Sequence, residues 1–243
     1  MKQLVRVVHI GGFGDFQMQL ADFDGSELYY SIPDFHNTAK RLEKFNADVA
    51  EDVMGRCAEV EDEIEYIKSV EEKASAISKL FYGGEWPVRV THNDTKANNV
   101  IFHRETKEPL AVIDLDTVMP GMAGYDFGDA VRFICSDTTE DEPDLSKVNF
   151  NLEKFRAFTE GFVGEVKNSL EEKELDTLVD CAFDVTVELG SRFLDDYITG
   201  DHYFIPKKEK HNYYRAKCQL ALARDIDRKR EEMNRIVKEV LNK

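Results

Sequence analysis

The apolar positions along the chain follow two periods. From Phe13 to Phe23, Phe13, Phe16, Met18, Leu20 and Phe23 give a loose helical spacing that Asp24-Gly25 interrupts. Ile32-Pro33-Asp34-Phe35-His36-Asn37 reads as an ordered loop, and Thr38 as the N-cap of a helix running to about Met54. A second helix is predicted from about Val60 to Leu80, with Ile64, Ile67, Ala74, Ile77 and Leu80 on one side and Glu and Lys elsewhere; Gly83-Gly84 and Pro87 end it.

The period then changes. Val88–Thr91, Asn99–Phe102 and Leu110–Ile113 read as short strands, the last two joined as a hairpin through Arg104–Pro109. Beyond residue 120 helices are expected near 126–135, 151–168, 172–199 and 212–241, with an acidic loop from Asp137 to Asp144. The expected fold class is therefore α+β, mostly helical with a small central β hairpin. Residues 1–10 are expected to form a short strand or an irregular start.

Composition narrows the function. Lys and Arg total 32 against 48 Asp and Glu, a net charge of -16. That field repels phosphate backbones and anionic lipid, so neither a nucleic acid nor a membrane is expected as a partner. No stretch approaches the roughly 20 apolar residues of a membrane span. The four cysteines, Cys57, Cys135, Cys181 and Cys218, are isolated in sequence. They form no zinc or redox motif and fit a reduced, cytoplasmic compartment.

Candidate chemistry gathers at the ends of the central strands. His92, Asp94 and Asn99 form H-x-D-x-x-x-x-N. Phosphoryl transfer needs a carboxylate beside the attacking hydroxyl and oxygen ligands on magnesium, and a loop with this spacing brings an Asp and an Asn to one phosphate. Twenty residues after Asp94, an apolar strand ends in Asp114, with Asp116 close by. Strand-end carboxylates of this kind offer hard oxygens to magnesium, Asp114 first and Asp116 second. Each motif alone is also met in ordinary turns and caps; the ordered set of strand, loop, hairpin and strand-end Asp points to chemistry.

These stretches resemble the kinase-like aminoglycoside/choline phosphotransferase family, and within it the N-acetylhexosamine 1-kinases. The resemblance rests on Thr91–Lys96, Val112–Gly121, Tyr125–Asp129 with Arg132-Phe133, Arg192–Tyr197 and Gly200–Phe204, with Ile32–Thr38 upstream. It spans roughly residues 12 to 235. It implies the C-terminal lobe of a protein-kinase-like fold, with ATP as co-substrate, Mg2+, and a small-molecule acceptor, a sugar. By that resemblance Asp94 is the base and Lys96 touches the transferring phosphate. Asn99 and Asp114 bind the nucleotide's magnesium, helped by Asp116. Phe133, Arg192 and Tyr203 match acceptor contacts. His92 and Asp126 support the loop, Asp126 by tying it or by capping the helix that begins near Phe127.

The chain departs from the family at its start. About 90 residues precede His92, and they read as helices rather than a nucleotide-gripping lobe. Gly11-Gly12-Phe13-Gly14 has the composition of a nucleotide loop but lacks flanking strands, and a turn before a helix is expected instead. The expectation is thus of residues 1–37 as an inter-lobe remnant and 38–243 as the catalytic and acceptor-binding lobe. Apolar surface left bare by an absent lobe would favour a homodimer. Two other readings stand beside the sugar kinase: a non-catalytic sugar- or partner-binding remnant, and a kinase for an aminoglycoside or choline.

Overall fold

The computed structural model describes residues 12–106 and 108–243. The readings made for residues 1–10, Gly11 and Lys107 lie outside them. The chain begins with α1 (Gly12–Gln19), α2 (Thr38–Glu51), α3 (Glu61–Ala74) and α4 (Ala76–Tyr82). Four short strands follow: β1 (Arg89–Thr91), β2 (Val100–Phe102), β3 (Pro109–Val112) and β4 (Met119–Gly121). The rest is α5 (Ala123–Ile134), α6 (Leu152–Val166), α7 (Glu172–Asp176), α8 (Leu178–Thr199), α9 (His211–Arg228) and α10 (Arg230–Leu241). The fold is α+β and mostly helical, as the periodicity predicts.

Helix α8 organises the molecule. It packs against α9, α5 and α2, and 17 of its 22 residues are buried. A helix buried nearly all round must find partners for its polar residues, and three that bear on the site are Asp184, Glu188 and Asp196. It ends at Gly200, whose φ of 115° suits a left-handed cap that only glycine adopts at no cost. Helices α5 and α8 touch closely: a Cβ on Gly128 would stand 2.7 Å from the Cys181 carbonyl oxygen. On the other side, α1 packs on α6. Gly12 and Gly14 belong to helix α1 rather than to a turn or a nucleotide loop. A Cβ on Gly14 would lie 3.1 Å from Phe162 Cα, so this glycine serves helix contact. Phe13 is buried in the same core as Phe127, Phe155, Phe158 and Phe162.

The long periodic runs are divided where side chains compete for main-chain groups. The predicted Val60–Leu80 helix becomes α3 and α4, split at Ser75, whose hydroxyl bonds back to the Glu71 carbonyl at 2.7 Å. The 172–199 run splits at Thr177, whose hydroxyl bonds the Lys173 carbonyl at 2.9 Å. The 212–241 run splits at Lys229, whose Nζ reaches across to Asn149 Oδ1 and the Phe150 carbonyl, each at 2.7 Å. The cap of α2 is Asn37, not Thr38: the Asn37 side chain accepts the Lys40 N–H. Thr38 is instead buried, and its hydroxyl donates to Glu188 at 3.0 Å.

The strands form two separate antiparallel pairs. β2 and β3 are the expected hairpin, with Val100 opposite Val112. β1 pairs with β4, Thr91 opposite Met119. Strand β4 was not anticipated, because Pro120 and Gly121 read as breakers. A Cβ on Gly121 would fall 2.2 Å from Thr91 Oγ1, so the pairing requires glycine there. The two pairs hold both ends of the His92–Asn99 loop.

Candidate functional site

The His92–Asn99 loop leaves β1 and enters β2 through a short 3-10 turn at Ala97–Asn99. Its main chain is gripped from below by two carboxylates on α5, one helical turn apart. Asp126 Oδ2 accepts the His92 N–H at 2.9 Å, and its Oδ1 accepts the Asn93 N–H at 2.7 Å. Gln17 Nε2 donates to Asp126 Oδ2 at 2.6 Å. Asp129 Oδ2 accepts the Thr95 N–H at 2.9 Å, and the Thr95 hydroxyl donates to the Asp126 carbonyl at 2.7 Å. Burial pushes the Asp126 carboxyl above the usual range, against the pull of its N–H donors. Asp129 is also buried, which alone would raise it, but the adjoining Arg132 guanidinium holds it below the usual range.

The histidine supports the same loop from within. His92 Nδ1 accepts the Asp94 N–H at 3.3 Å, and its Nε2 bonds the Ile113 carbonyl at 3.0 Å. The proton therefore sits on Nε2. Phe13 and Phe16 pack edge-on against the ring. Asn93 adopts a φ of 65°, a left-handed conformation that Asn tolerates better than most residues. Its amide locks the turn by donating to the Thr91 and Thr117 carbonyls.

This scaffold brings Asp94, Lys96 and Asn99 together. Asp94 Oδ1 pairs with Lys96 Nζ at 2.6 Å. Asp94 Oδ2 accepts Asn99 Nδ2 at 3.0 Å, and Nδ2 also donates to the Asp94 carbonyl at 2.8 Å. Both Nδ2 bonds point Asn99 one way, and among the described residues no hydrogen bond engages its Oδ1. The Ile113 N–H donates to the Asn99 carbonyl at 2.9 Å, so Asp114 leaves β3 beside Asn99. Asp114 also has a φ of 65° and is exposed. Asp116 is exposed in the turn that follows. Among the described residues no group of three or more His, Cys, Asp or Glu side chains gathers for a metal.

Above the loop lies a cavity of about 250 Å³, lined by Asp94, Lys96, Arg192 and Tyr203 among others. Phe133 is half-buried on α5 and is not among the lining residues; its neighbour Arg132 is. A step of one residue turns a side chain by about 100° around a helix, and Arg132 takes the cavity-facing position. Arg132 is almost wholly buried and pairs with Asp129 at 2.6 Å and Glu140 at 2.8 Å. Glu140 also meets Arg215 at 3.3 Å.

Arg192 stands differently. Its guanidinium is held among the rings of Phe35, Tyr203 and Phe204, with centroids at 5.6, 5.6 and 5.4 Å. Its one ion pair among the described residues, with Glu188, is loose at 4.0 Å. Burial and the nearby Arg41 charge lower its pKa from the usual arginine value. The loop carrying two of those rings is fixed by Asp196, which accepts the N–H groups of His202, Tyr203 and Phe204 at 2.8 to 2.9 Å.

Six ionisable cavity residues were not singled out from the sequence as ligand contacts: His36, Asp129, Arg132, Glu140, Glu188 and Arg215. One signal was available. Asp184, Glu188 and Arg192 recur every four residues along a helix rich in apolar residues, and charges on a buried stripe need a partner or a ligand.

A family model described as the phosphotransferase enzyme family matches residues 9–158, more than half of the chain. The chain belongs to that family. It is a phosphotransferase of the kind that acts on small molecules. The matched region contains the whole His92–Asn99 loop, Asp114, Asp126 and Phe133. Glu188, Arg192 and Tyr203, which form the far wall of the cavity, lie outside it.

Proposed function

We propose that the chain carries the acceptor-side chemistry of a sugar kinase, moving the γ-phosphate of ATP to the anomeric hydroxyl of an N-acetylhexosamine. The observation that carries the sugar reading is Arg192. A guanidinium that is mostly buried and has, among the described residues, no hydrogen bond and only a 4.0 Å ion pair leaves N–H donors for a ligand's oxygens. A sugar hydroxyl or acetamido carbonyl answers that need, while the rings around it suit the apolar face of a pyranose. A cavity near 250 Å³ is at the small end of ligand sites and matches one sugar ring.

In this reading Asp94 takes the proton from the attacking hydroxyl, oriented by Asn99 and Lys96 through its two oxygens. Lys96 then lies beside the transferring phosphate. The Asn99 Oδ1 and the Asp114 carboxylate, helped by Asp116, are hard oxygens at one end of the hairpin and fit magnesium, which takes few protein ligands. Bound there with ATP, magnesium would neutralise phosphate charge.

A cationic acceptor such as choline or an aminoglycoside fits less well. The ring cage that could receive a cation already holds Arg192, and the cavity's carboxylates Asp94, Asp129 and Glu140 are already paired with Lys96, Arg132 and Arg215. The test is ADP release from ATP and Mg2+ with N-acetylglucosamine, N-acetylgalactosamine and aminoglycosides, alongside acceptor binding by calorimetry. Asp94→Asn should lower turnover by roughly 10²–10⁴ and leave acceptor binding in place; a loss under about tenfold rejects Asp94 as base. Sugar binding with no ADP release would favour a binding protein, and release only with cationic acceptors would reject the sugar.

A further inference from the structure

The wall that closes the acceptor cavity has a second face. Behind it lies another cleft, of about 330 Å³, and Phe35, Arg192, Tyr203 and Phe204 line both. Asp94 and Lys96 line only the first; Lys44, Asp195 and Thr199 line only the second. We propose that this second cleft is a further sugar subsite, so that the acceptor is a disaccharide whose reducing-end N-acetylhexosamine sits at Asp94 and whose second ring lies beyond the Arg192 wall. The inference rests on the sugar reading above.

Direction comes first. A sugar whose reacting hydroxyl meets Asp94 presents its opposite end to the wall, which is where a glycosidic substituent would leave the ring. Tyr203 stands out of the wall: it is 68% exposed although its main chain is bound. An exposed aromatic on an anchored loop costs free energy that a stacked ligand would recover. Phe204 packs edge-on beneath it, with centroids 4.7 Å apart, and fixes the ring's tilt.

The cleft also holds a carboxyl, Asp195, that is only partly satisfied. Asp195 Oδ2 accepts Lys44 Nζ at 2.7 Å; its Oδ1 is buried and meets no hydrogen-bond donor among the described residues, while the neighbouring Asp48 carboxyl crowds the same group. Such an atom calls for a donor, and a sugar hydroxyl is a neutral one. Burial, helped by the neighbouring Asp48 carboxylate, pushes the Asp195 carboxyl up to about 6, with the Lys44 ion pair opposing it. Lys44, on the exposed rim, offers further donors to ring oxygens. An aromatic platform, an acceptor and a donor in one cleft form the ordinary equipment of a sugar subsite.

The experiment compares binding of N-acetylglucosamine, N-acetyllactosamine and diacetylchitobiose to the whole chain by calorimetry, and needs no turnover. At least one disaccharide should bind about tenfold or more tighter than the monosaccharide. Thr199→Trp fills the second cleft from a position whose hydroxyl bonds only its own helix. It should erase the disaccharide's advantage and leave monosaccharide affinity unchanged. If Thr199→Trp does not fold, Asp195→Asn serves in its place and should weaken only the disaccharide. Monosaccharide binding with no disaccharide advantage, or an advantage untouched by the variants, overturns the subsite alone. If neither class of sugar binds, the sugar reading falls and the subsite falls with it.

Discussion

His36 and Asn93, 57 residues apart in sequence, are joined by a 3.1 Å hydrogen bond from the imidazole Nε2 to the main-chain carbonyl. The same ring's Nδ1 faces Glu188 at 3.3 Å. Two acceptors, one on each nitrogen, require both nitrogens to donate, so the ring is an imidazolium. It ties the loop before Asp94 to the helix that carries Arg192. Asp129 is a further negative charge near it, and Phe35 and Tyr125 pack against its faces.

This tie is sensitive to pH. Burial alone would lower the pKa of His36, but the Glu188 carboxylate outweighs it and raises the value above 6.5. A group raised on folding contributes stability that is complete below its unfolded pKa and fades as pH rises through the folded one. Glu188 moves the other way: burial opposes it, but His36 and Arg41 hold it below 4.5, so its contribution appears above that value. Urea midpoints of the native chain should fall as pH rises above about 6.5. His36→Gln should be less stable near pH 6 and nearly flat across that window. Parallel curves would show that another group titrates.

Arg132 should be the costliest single charge to remove. Its loss strands the almost wholly buried Asp129 and leaves Glu140 with Arg215 alone. Arg132→Met is expected to lose about 3–5 kcal/mol in denaturant unfolding. Arg215, by contrast, has a single 3.3 Å ion pair and a stacking contact with Phe193 at 3.7 Å. Arg215→Met should lose about 1–2 kcal/mol, since the ring contact is partly replaced by methionine.

Asp126→Asn keeps the shape of the buried carboxyl but turns one acceptor into a donor. Whichever way the amide lies, an N–H of His92 or Asn93 loses its partner. The expected loss is about 1–3 kcal/mol. Acceptor affinity should weaken as well, because the loop that positions Asp94 loosens. Unchanged affinity in a destabilised variant would show that the loop is held by its other contacts.

Gly128 tests the α5–α8 contact. Gly128→Ala would set a methyl against the Cys181 main chain, which cannot yield like a flexible side chain. A loss of about 1–3 kcal/mol is expected, read as a lower thermal midpoint. An alanine at the outward Gly164, where a Cβ meets nothing within 4 Å, should be neutral or stabilising.

Local spacing carries a good part of this protein. Helical periods, the β2–β3 hairpin and the H-x-D-x-x-x-x-N loop are legible because each is made by residues close in sequence. His92, Asp94 and Asn99 must lie near one another whatever the rest of the chain does. Helix ends are less legible: Ser75, Thr177 and Lys229 break long apolar runs through side-chain bonds to main-chain or distant groups, and periodicity contains no trace of those bonds. Strand β4 exists only because Gly121 admits Thr91 against it.

The cavity wall was decided by tertiary structure alone. His36, Glu140, Glu188 and Arg215 come from four separate elements, and no spacing relates them. What selects them is the expense of a buried charge: once α8 is enclosed on nearly all sides, a charge on it needs a counter-ion, hydrogen-bond partners or a ligand, and only the folded chain brings these together. Arg192 sits in that wall among three rings with a loose ion pair, and the donors it keeps free are what the sequence by itself does not reveal.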